Sequence, residues 1–139
     1  MGKKDVYRYW AAFHYADDGV SVRFPDLPGC LTFGNTDEEA HAAAREALEG
    51  FIYGLEKDGD PIPDPTPLSE TVKVLDEDEA AVEVKVYMPT VRDAMESKAV
   101  KKTLTIPKWL NDEAEKQNIN FSQVLQEALK RNLGIEQQQ

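Results

Sequence analysis

Asp17, Asp18 and Asp26, the two histidines, the one cysteine and a run of lysines, threonines and apolar residues are the groups in this chain whose types and settings could carry chemistry. Asp17, Asp18 and Asp26 invite a metal or acid/base reading, yet they stand in the turn sequences Asp17-Asp18-Gly19 and Asp26-Leu27-Pro28-Gly29. Carboxylates in such turns bond readily to nearby backbone. His14 and His41 are the only histidines, and no serine or cysteine motif accompanies either. Metal sites need several converging ligands, so His14 is expected to pack at a sheet face and His41 to lie near a helix start. Cys30 is alone, which excludes an intrachain disulfide and a cysteine cluster for zinc and leaves a small buried apolar role. No catalytic residue, metal or cofactor is therefore expected. The run Lys101-Lys102-Thr103-Leu104-Thr105-Ile106-Pro107 differs in kind. If Leu104 and Ile106 point into a core, Thr103, Thr105 and Lys101 point out together, and a strand of that pattern is one way proteins read DNA.

The elements that must position these residues are legible in the patterning. Val6 to Tyr15 places Tyr7, Tyr9, Phe13 and Tyr15 at one parity and Arg8, Trp10 and His14 at the other, as a strand does. Asp17-Asp18-Gly19 makes a tight hairpin turn. The next strand sets Val20, Val22 and Phe24 against Ser21 and Arg23, and Pro25 closes it. Pro28 and Gly29 suit the second and third positions of a type II turn, leading to a third strand at about Cys30 to Phe33. Thr36-Asp37-Glu38-Glu39 is a helix start, with threonine as cap and acidic groups at the positive end of the helix dipole. That helix should run to about Glu56 on a stripe of Ala40, Ala43, Ala44, Ala47, Leu48, Phe51 and Leu55. Gly50 and Gly54 each cost on the order of 1 kcal/mol of helix stability, which predicts close approach of another backbone there.

Residues 60 to 67 hold four prolines and form a stiff connection. Between Leu68 and Glu79 the pattern is ambiguous. Val72 and Val74 hint at a strand, while Asp76-Glu77-Asp78-Glu79 reads as a solvated turn or a surface for a basic partner. Val82, Val84 and Val86 alternate with Glu83, Lys85 and Tyr87 as a final strand, ended by Pro89. Thr90 to Ala99 reads as a short helical or irregular linker.

Beyond the Lys101 run, a helix begins at about Lys108, breaks at Asn118-Ile119-Asn120, and resumes with Phe121, Val124, Leu125, Ala128 and Leu129 at helical spacing. About 35 residues cannot bury enough surface to fold alone without metals, disulfides or a partner. Both this deficit and the lack of a pairing partner for the strand vanish if two copies pair their strands antiparallel and interlock their helices. Here the segment resembles the ribbon-helix-helix family of dimeric DNA-binding domains, over nearly all of Lys101 to Ile135. The resemblance implies that Thr103 and Thr105 read base edges in the major groove, that Lys101 reads a base or grips a phosphate, and that Lys102 serves phosphates. Asn120 would cap the second helix with Gln123 three residues on, leaving the N–H groups of Phe121 and Ser122 for a phosphate. Pro107 stands where many members have another outward residue. The plainer alternative is a helical hairpin that only dimerises.

The formal net charge of −10 looks wrong for a DNA binder until the chain is divided. Residues 1–97 hold nine Lys and Arg against twenty-one Asp and Glu, a balance of −12, whereas residues 98–139 hold seven against five, a balance of +2. The front part should repel phosphate and suit a basic partner. No apolar stretch approaches membrane-spanning length, and Met1-Gly2-Lys3-Lys4 is not followed by a signal-peptide core, so a cytoplasmic protein without membrane association is expected.

The front part carries a resemblance of its own. Phe13-His14-Tyr15-Ala16-Asp17-Asp18-Gly19, Phe24-Pro25-Asp26-Leu27-Pro28-Gly29-Cys30, and Gly34-Asn35-Thr36-Asp37-Glu38-Glu39-Ala40 followed by Ala44-Arg45-Glu46-Ala47-Leu48 are similar to the HicB antitoxin family, over about Val6 to Phe51. The resemblance implies an α+β protein: an N-terminal β-β-β-α-β partial ribonuclease H-like domain (1–89), a linker (90–100), a dimeric ribbon-helix-helix module (101–135) and a tail (136–139). It further implies an antitoxin that covers a basic HicA-type toxin, an mRNA-cleaving ribonuclease, and represses its own operon by binding operator DNA as a dimer or tetramer. Asp17, Asp18, Arg23 and Asp26 are the candidate toxin contacts, with turn structure as the plainer role of the aspartates. Nucleases of ribonuclease H shape hold two metal ions about 4 Å apart on strand carboxylates, and the first strand here offers tyrosines, Trp10, Phe13 and His14 instead. A ribbon-helix-helix repressor with a ligand-sensing front domain is the rival reading.

Overall fold

The first strand, β1 (Val6–Ala16), is hydrogen-bonded on both sides, antiparallel to β2 (Gly19–Arg23) and antiparallel to β4 (Glu79–Tyr87). With β3 (Leu31–Gly34) beyond β2 the sheet order is β3-β2-β1-β4. This computed structural model describes residues 3–135, so the expected tail at 136–139 lies outside the described residues. The chain divides into two compact units, 1–98 and 99–139.

In the first unit, parity sorts the strands as the sequence predicts. Tyr7, Tyr9, Ala11 and Phe13 of β1, Val20 and Val22 of β2, and Val84 and Val86 of β4 are buried together with Phe24, Leu27 and Cys30. The helix α1 (Asp37–Asp58) covers them through Ala40, Ala44, Leu48 and Ile52. Thr36 caps it, its hydroxyl accepting from the Glu39 amide at 3.1 Å, and a left-handed Gly59 ends it. The Leu27–Cys30 turn is closed by the Cys30 amide donating to the Leu27 carbonyl at 3.0 Å, with Gly29 at φ +96° as a type II turn requires.

Close backbone approach falls at Gly34, where a Cβ would lie 2.3 Å from the Ala40 nitrogen. Gly50 and Gly54, expected to make that approach, have nothing within 4 Å of a built Cβ. Small residues are needed where the helix begins to cross the sheet, and its later glycines lie outside the contact.

The segment hinted as a strand by Val72 and Val74 forms α2 (Leu68–Thr71) and a short 3₁₀ turn (Val72–Val74), both valines being exposed. It has no strand neighbour, so its alternation has no sheet to serve. Pro89 ends β4 but opens a further helix, α3 (Met88–Glu96), in which Met88 and Val91 are buried. The stretch expected as a short helical or irregular linker from Thr90 thus begins as helix, with Val91 in the first unit's core, while residues 93–99 are exposed. Arg92 fastens the helix, donating to Glu56 at 2.7 and 3.0 Å and to the Lys4 carbonyl at 2.6 Å.

The second unit holds α4 (Lys108–Lys116) and α5 (Phe121–Asn132). Asn118 turns the chain between them at φ +54°, a conformation asparagine tolerates, and the Ile119 amide reaches back to the Ala114 carbonyl at 3.1 Å. Residues 101–107, expected as a strand, form no strand and pair with none among the described residues.

Gly50→Ala and Gly54→Ala should each stabilise the protein by about 0.5–1 kcal/mol, since a helical alanine meets no obstacle at either site. Gly34→Ala should destabilise it by more than both gains together. Urea unfolding of the three variants measures the ordering.

Candidate partner-binding surfaces

Asp17 and Asp18 form the exposed two-residue tip between β1 and β2, closed by the Ala16–Gly19 pair. Arg23 and Asp26 are placed otherwise. The Arg23 guanidinium donates to both Glu79 carboxylate oxygens, at 2.7 and 2.8 Å, and to the Val74 carbonyl at 3.2 Å. Asp26 accepts from the Thr66 amide at 2.8 Å and from the Thr66 hydroxyl at 2.6 Å. These two residues therefore fasten 66–79 to the β2 strand and the turn that follows it. The Tyr9 hydroxyl adds a third tie by donating to the Pro63 carbonyl, and Ile62 packs on the core. Glu79, read from sequence as part of a solvated turn, has a side chain only 6% exposed. Arg23 holds its carboxyl down to about 2.

His14 lies half-buried on β1, and His41 lies exposed near the start of α1. His41 lies 4.8 Å from the Phe13 ring centre and 3.5 Å from Asp37; His14 sits 3.3 Å from Asp78. Burial pushes the Cys30 thiol up to about 11, an inert state for a thiol. Among the described residues no group of three or more His, Cys, Asp or Glu side chains could hold a metal ion.

Two surface residues were not singled out from sequence. Leu31 and Phe33 are 67% and 48% exposed on β3, paired across the sheet with Arg23 and Ser21 on the face away from α1. A four-residue strand bounded by turns gives too short an alternation to show which parity faces water.

In the second unit, Lys101, Lys102, Thr103 and Thr105 are all exposed. Asn120 caps α5, its side-chain oxygen accepting from the Gln123 amide at 3.1 Å, and Phe121 and Ser122 occupy the exposed first turn. Across 99–135 no residue is buried. Leu104, Ile106, Leu110, Ile119, Phe121, Val124 and Leu129 are all open to solvent, and Leu125 and Ala128 are half-buried.

These features define a mixed α/β protein of two units: an acidic four-stranded sheet with packed helices, and a small helical unit whose apolar side chains lack cover. Residues 9–129 match the family described as HicB-like antitoxin of bacterial toxin–antitoxin system, and the chain belongs to that family. It is similar to an uncharacterised 14.9 kDa protein from the rep–hol intergenic region of Haemophilus phage HP1, at 32% identity over 98 residues covering 68% of each chain. It is also similar to Antitoxin HicB 2 of Photorhabdus laumondii, at 40% identity over 63 residues covering 45% of each. Among solved structures, a toxin–antitoxin complex from Streptococcus pneumoniae aligns with a TM-score of 0.56 and 28% identity over 91% of this chain and 99% of that one. The Antitoxin HicB3 crystal structure aligns with a TM-score of 0.51 and 26% identity, over 94% and 99%. No helix among the described residues is long and apolar enough to cross a membrane.

Glu79→Gln should cost about 2 kcal/mol near pH 7, because it leaves Arg23 without its charge partner in a largely covered pair. A depressed carboxyl gives stability that is complete above the ordinary carboxylate range and lost as pH falls toward about 2. Chemical denaturation against pH should therefore show wild type and variant converging in acid. A gap that does not narrow as pH falls from the ordinary carboxylate range toward about 2 would show that the Arg23–Glu79 charge pair is not its source.

Proposed function

We propose that this chain is an antitoxin that binds and neutralises an mRNA-cleaving HicA-type toxin through its first unit, and represses its own operon by binding operator DNA through a dimer of its second. The family match over residues 9–129 carries the reading. Charge supports the first half: the −12 balance of residues 1–97 suits a partner that itself binds RNA and must be basic to do so. Neutralisation by covering an active site needs no chemistry from this chain, which is accordingly read as a non-enzyme in the cytoplasm. Asp17 and Asp18 at the hairpin tip are the candidate toxin contacts with accessible charge, while Arg23 and Asp26 hold the surface in shape.

The second half rests on the uncovered apolar residues of 99–135. Two copies would pair residues 101–107 antiparallel and bury Leu104, Ile106, Phe121, Val124, Leu125 and Leu129 between interlocked helices, as in a ribbon-helix-helix domain. The hydroxyls of Thr103 and Thr105 then meet base edges, Lys101 and Lys102 meet bases or phosphates, and the N–H groups of Phe121 and Ser122 point at a phosphate. Two such dimers side by side would give the tetramer.

Co-expression with the neighbouring small open reading frame tests the first half: growth is restored and the two proteins co-purify. A harmless neighbour, or one that forms no complex, removes the antitoxin reading. On operator DNA, Thr103→Ala or Thr105→Ala should erode discrimination among sites by about 1–3 kcal/mol at the contacted base. Lys101→Ala or Lys102→Ala should instead weaken all sequences and lower the salt slope by about one ion each. A Leu125→Asp chain should sediment as a monomer and bind no DNA, and an unchanged dimer would overturn the assembly.

A further inference from the structure

We infer that the open side of β3 receives an edge strand of the basic toxin, so that toxin and antitoxin share one continuous sheet; this deepens the toxin-binding reading and rests on it. The sheet has two edges, β3 and β4, and they are built differently. β4 places charged Glu83 and Lys85 on its exposed face, Glu83 lying 3.9 Å from Arg8. Edge charges, lysine above all, discourage strand addition. β3 reads Leu31-Thr32-Phe33-Gly34 and carries no charge. Its Leu31 and Phe33 project side by side at alternate positions, two-thirds and one-half exposed, the spacing at which an added strand finds side-chain contacts. No strand lies beyond it among the described residues.

The surroundings select the occupant. A Cβ on Gly19 would lie 2.4 Å from the Phe33 ring, so that ring rests on the strand end next to the Asp17-Asp18 tip. The chain leaving β3 runs directly into the acidic first turn of α1, Asp37-Glu38-Glu39. From Tyr15 to Glu39 there are six acidic residues and one basic one, Arg23, whose charge Glu79 already meets. An apolar strand within an acidic rim fits a cationic polypeptide and repels a second copy of itself. Backbone pairing and the Leu31 and Phe33 contacts supply the holding energy, and the rim supplies the encounter rate.

The test uses the full chain and the purified HicA-type protein encoded beside it. Leu31→Lys is the clean variant, because the residue is exposed and its melting temperature should match wild type. Phe33→Lys also uncovers Gly19 and is read only beside it. Leu31→Lys should weaken the complex about 30-fold or more through faster dissociation. The Asp17→Asn, Asp18→Asn double variant should act mainly on association, slowing it about fivefold at low salt, with a smaller effect on dissociation than Leu31→Lys. Amide exchange at 31–34 should slow in the complex. If wild type binds toxin but Leu31→Lys binds within about twofold of it and exchange at 31–34 is unaltered, the β3 assignment fails while the antitoxin reading stands. If wild type binds no toxin, both fail. Protection of 31–34 in the toxin-free chain that rises with its concentration would make the occupant a second copy and overturn the proposal.

Discussion

The first unit depends on how closely α1 can approach the sheet where it starts. Ala40 and Ala44 are completely buried, and Gly34 has no side chain to hold the Ala40 backbone away. With the helix start seated directly on β3, the larger residues further along, Leu48 and Ile52, reach the rings and valines of the central strands, and Tyr9 and Phe13 lose all contact with water. Each fully buried side chain of this size is worth about 1.5–3 kcal/mol against leaving it exposed. A single methyl at Gly34 would lift the helix and weaken several such burials at once, since packed interiors transmit displacement rather than absorb it.

A second consequence concerns charge. The unit has few cations and spends its best two internally: Arg23 on Glu79 and Arg92 on Glu56, carboxylates with side chains only 6% and 4% exposed. These forked pairs fix the returning chain, one tying the start of β4 to β2 and the other tying α3 to the end of α1. Because each clamp neutralises one acid and one base, it leaves the net charge untouched while withdrawing guanidinium groups from the surface. What faces solvent is therefore more uniformly acidic than the composition alone conveys, and a basic polypeptide would meet little positive charge there.

The order of the strands, the capped start of α1 and the capped break between α4 and α5 were legible because each is written in short-range chemistry: parity, Asp-Asp-Gly, Thr36 with Glu39, Asn120 with Gln123. What escaped depends on distant residues. Glu79 sits in an acidic run that looks solvated, and only its pairing with Arg23, 56 positions away, makes it interior. Gly50 and Gly54 looked like contact sites because glycine spacing says nothing about which face of a helix is covered. Val72 and Val74 alternate like a strand, but alternation is realised as a strand only where a neighbour offers hydrogen bonds. Ile52 lay just off the stripe drawn through Phe51 and Leu55, and the helix turned it fully inward. Of the candidate contact residues, the aspartates of the hairpin tip lie on the surface, whereas Arg23 and Asp26 are engaged by Glu79 and Thr66.

If the proposed toxin and operator bindings influence one another, assembly must carry the coupling. A toxin seated on the β3 edge and DNA held by residues 101–122, as proposed, would engage different units of the chain, so neither ligand would change the other's affinity unless it bound one assembly state better than another. On the proposed reading the second unit would supply such states, because its exposed apolar residues would find cover by association, and every dimer so formed would carry two acidic units. One toxin per unit makes the dimer divalent for toxin, and a partner that bridges dimers on adjacent operator sites raises their effective concentration without any new DNA contact. A toxin that disfavoured pairing of the second units would act in the opposite sense. Which sign applies is a matter of the differential binding energy of toxin for dimer and higher assembly, since equal affinity for both would leave repression unchanged however tightly toxin is held.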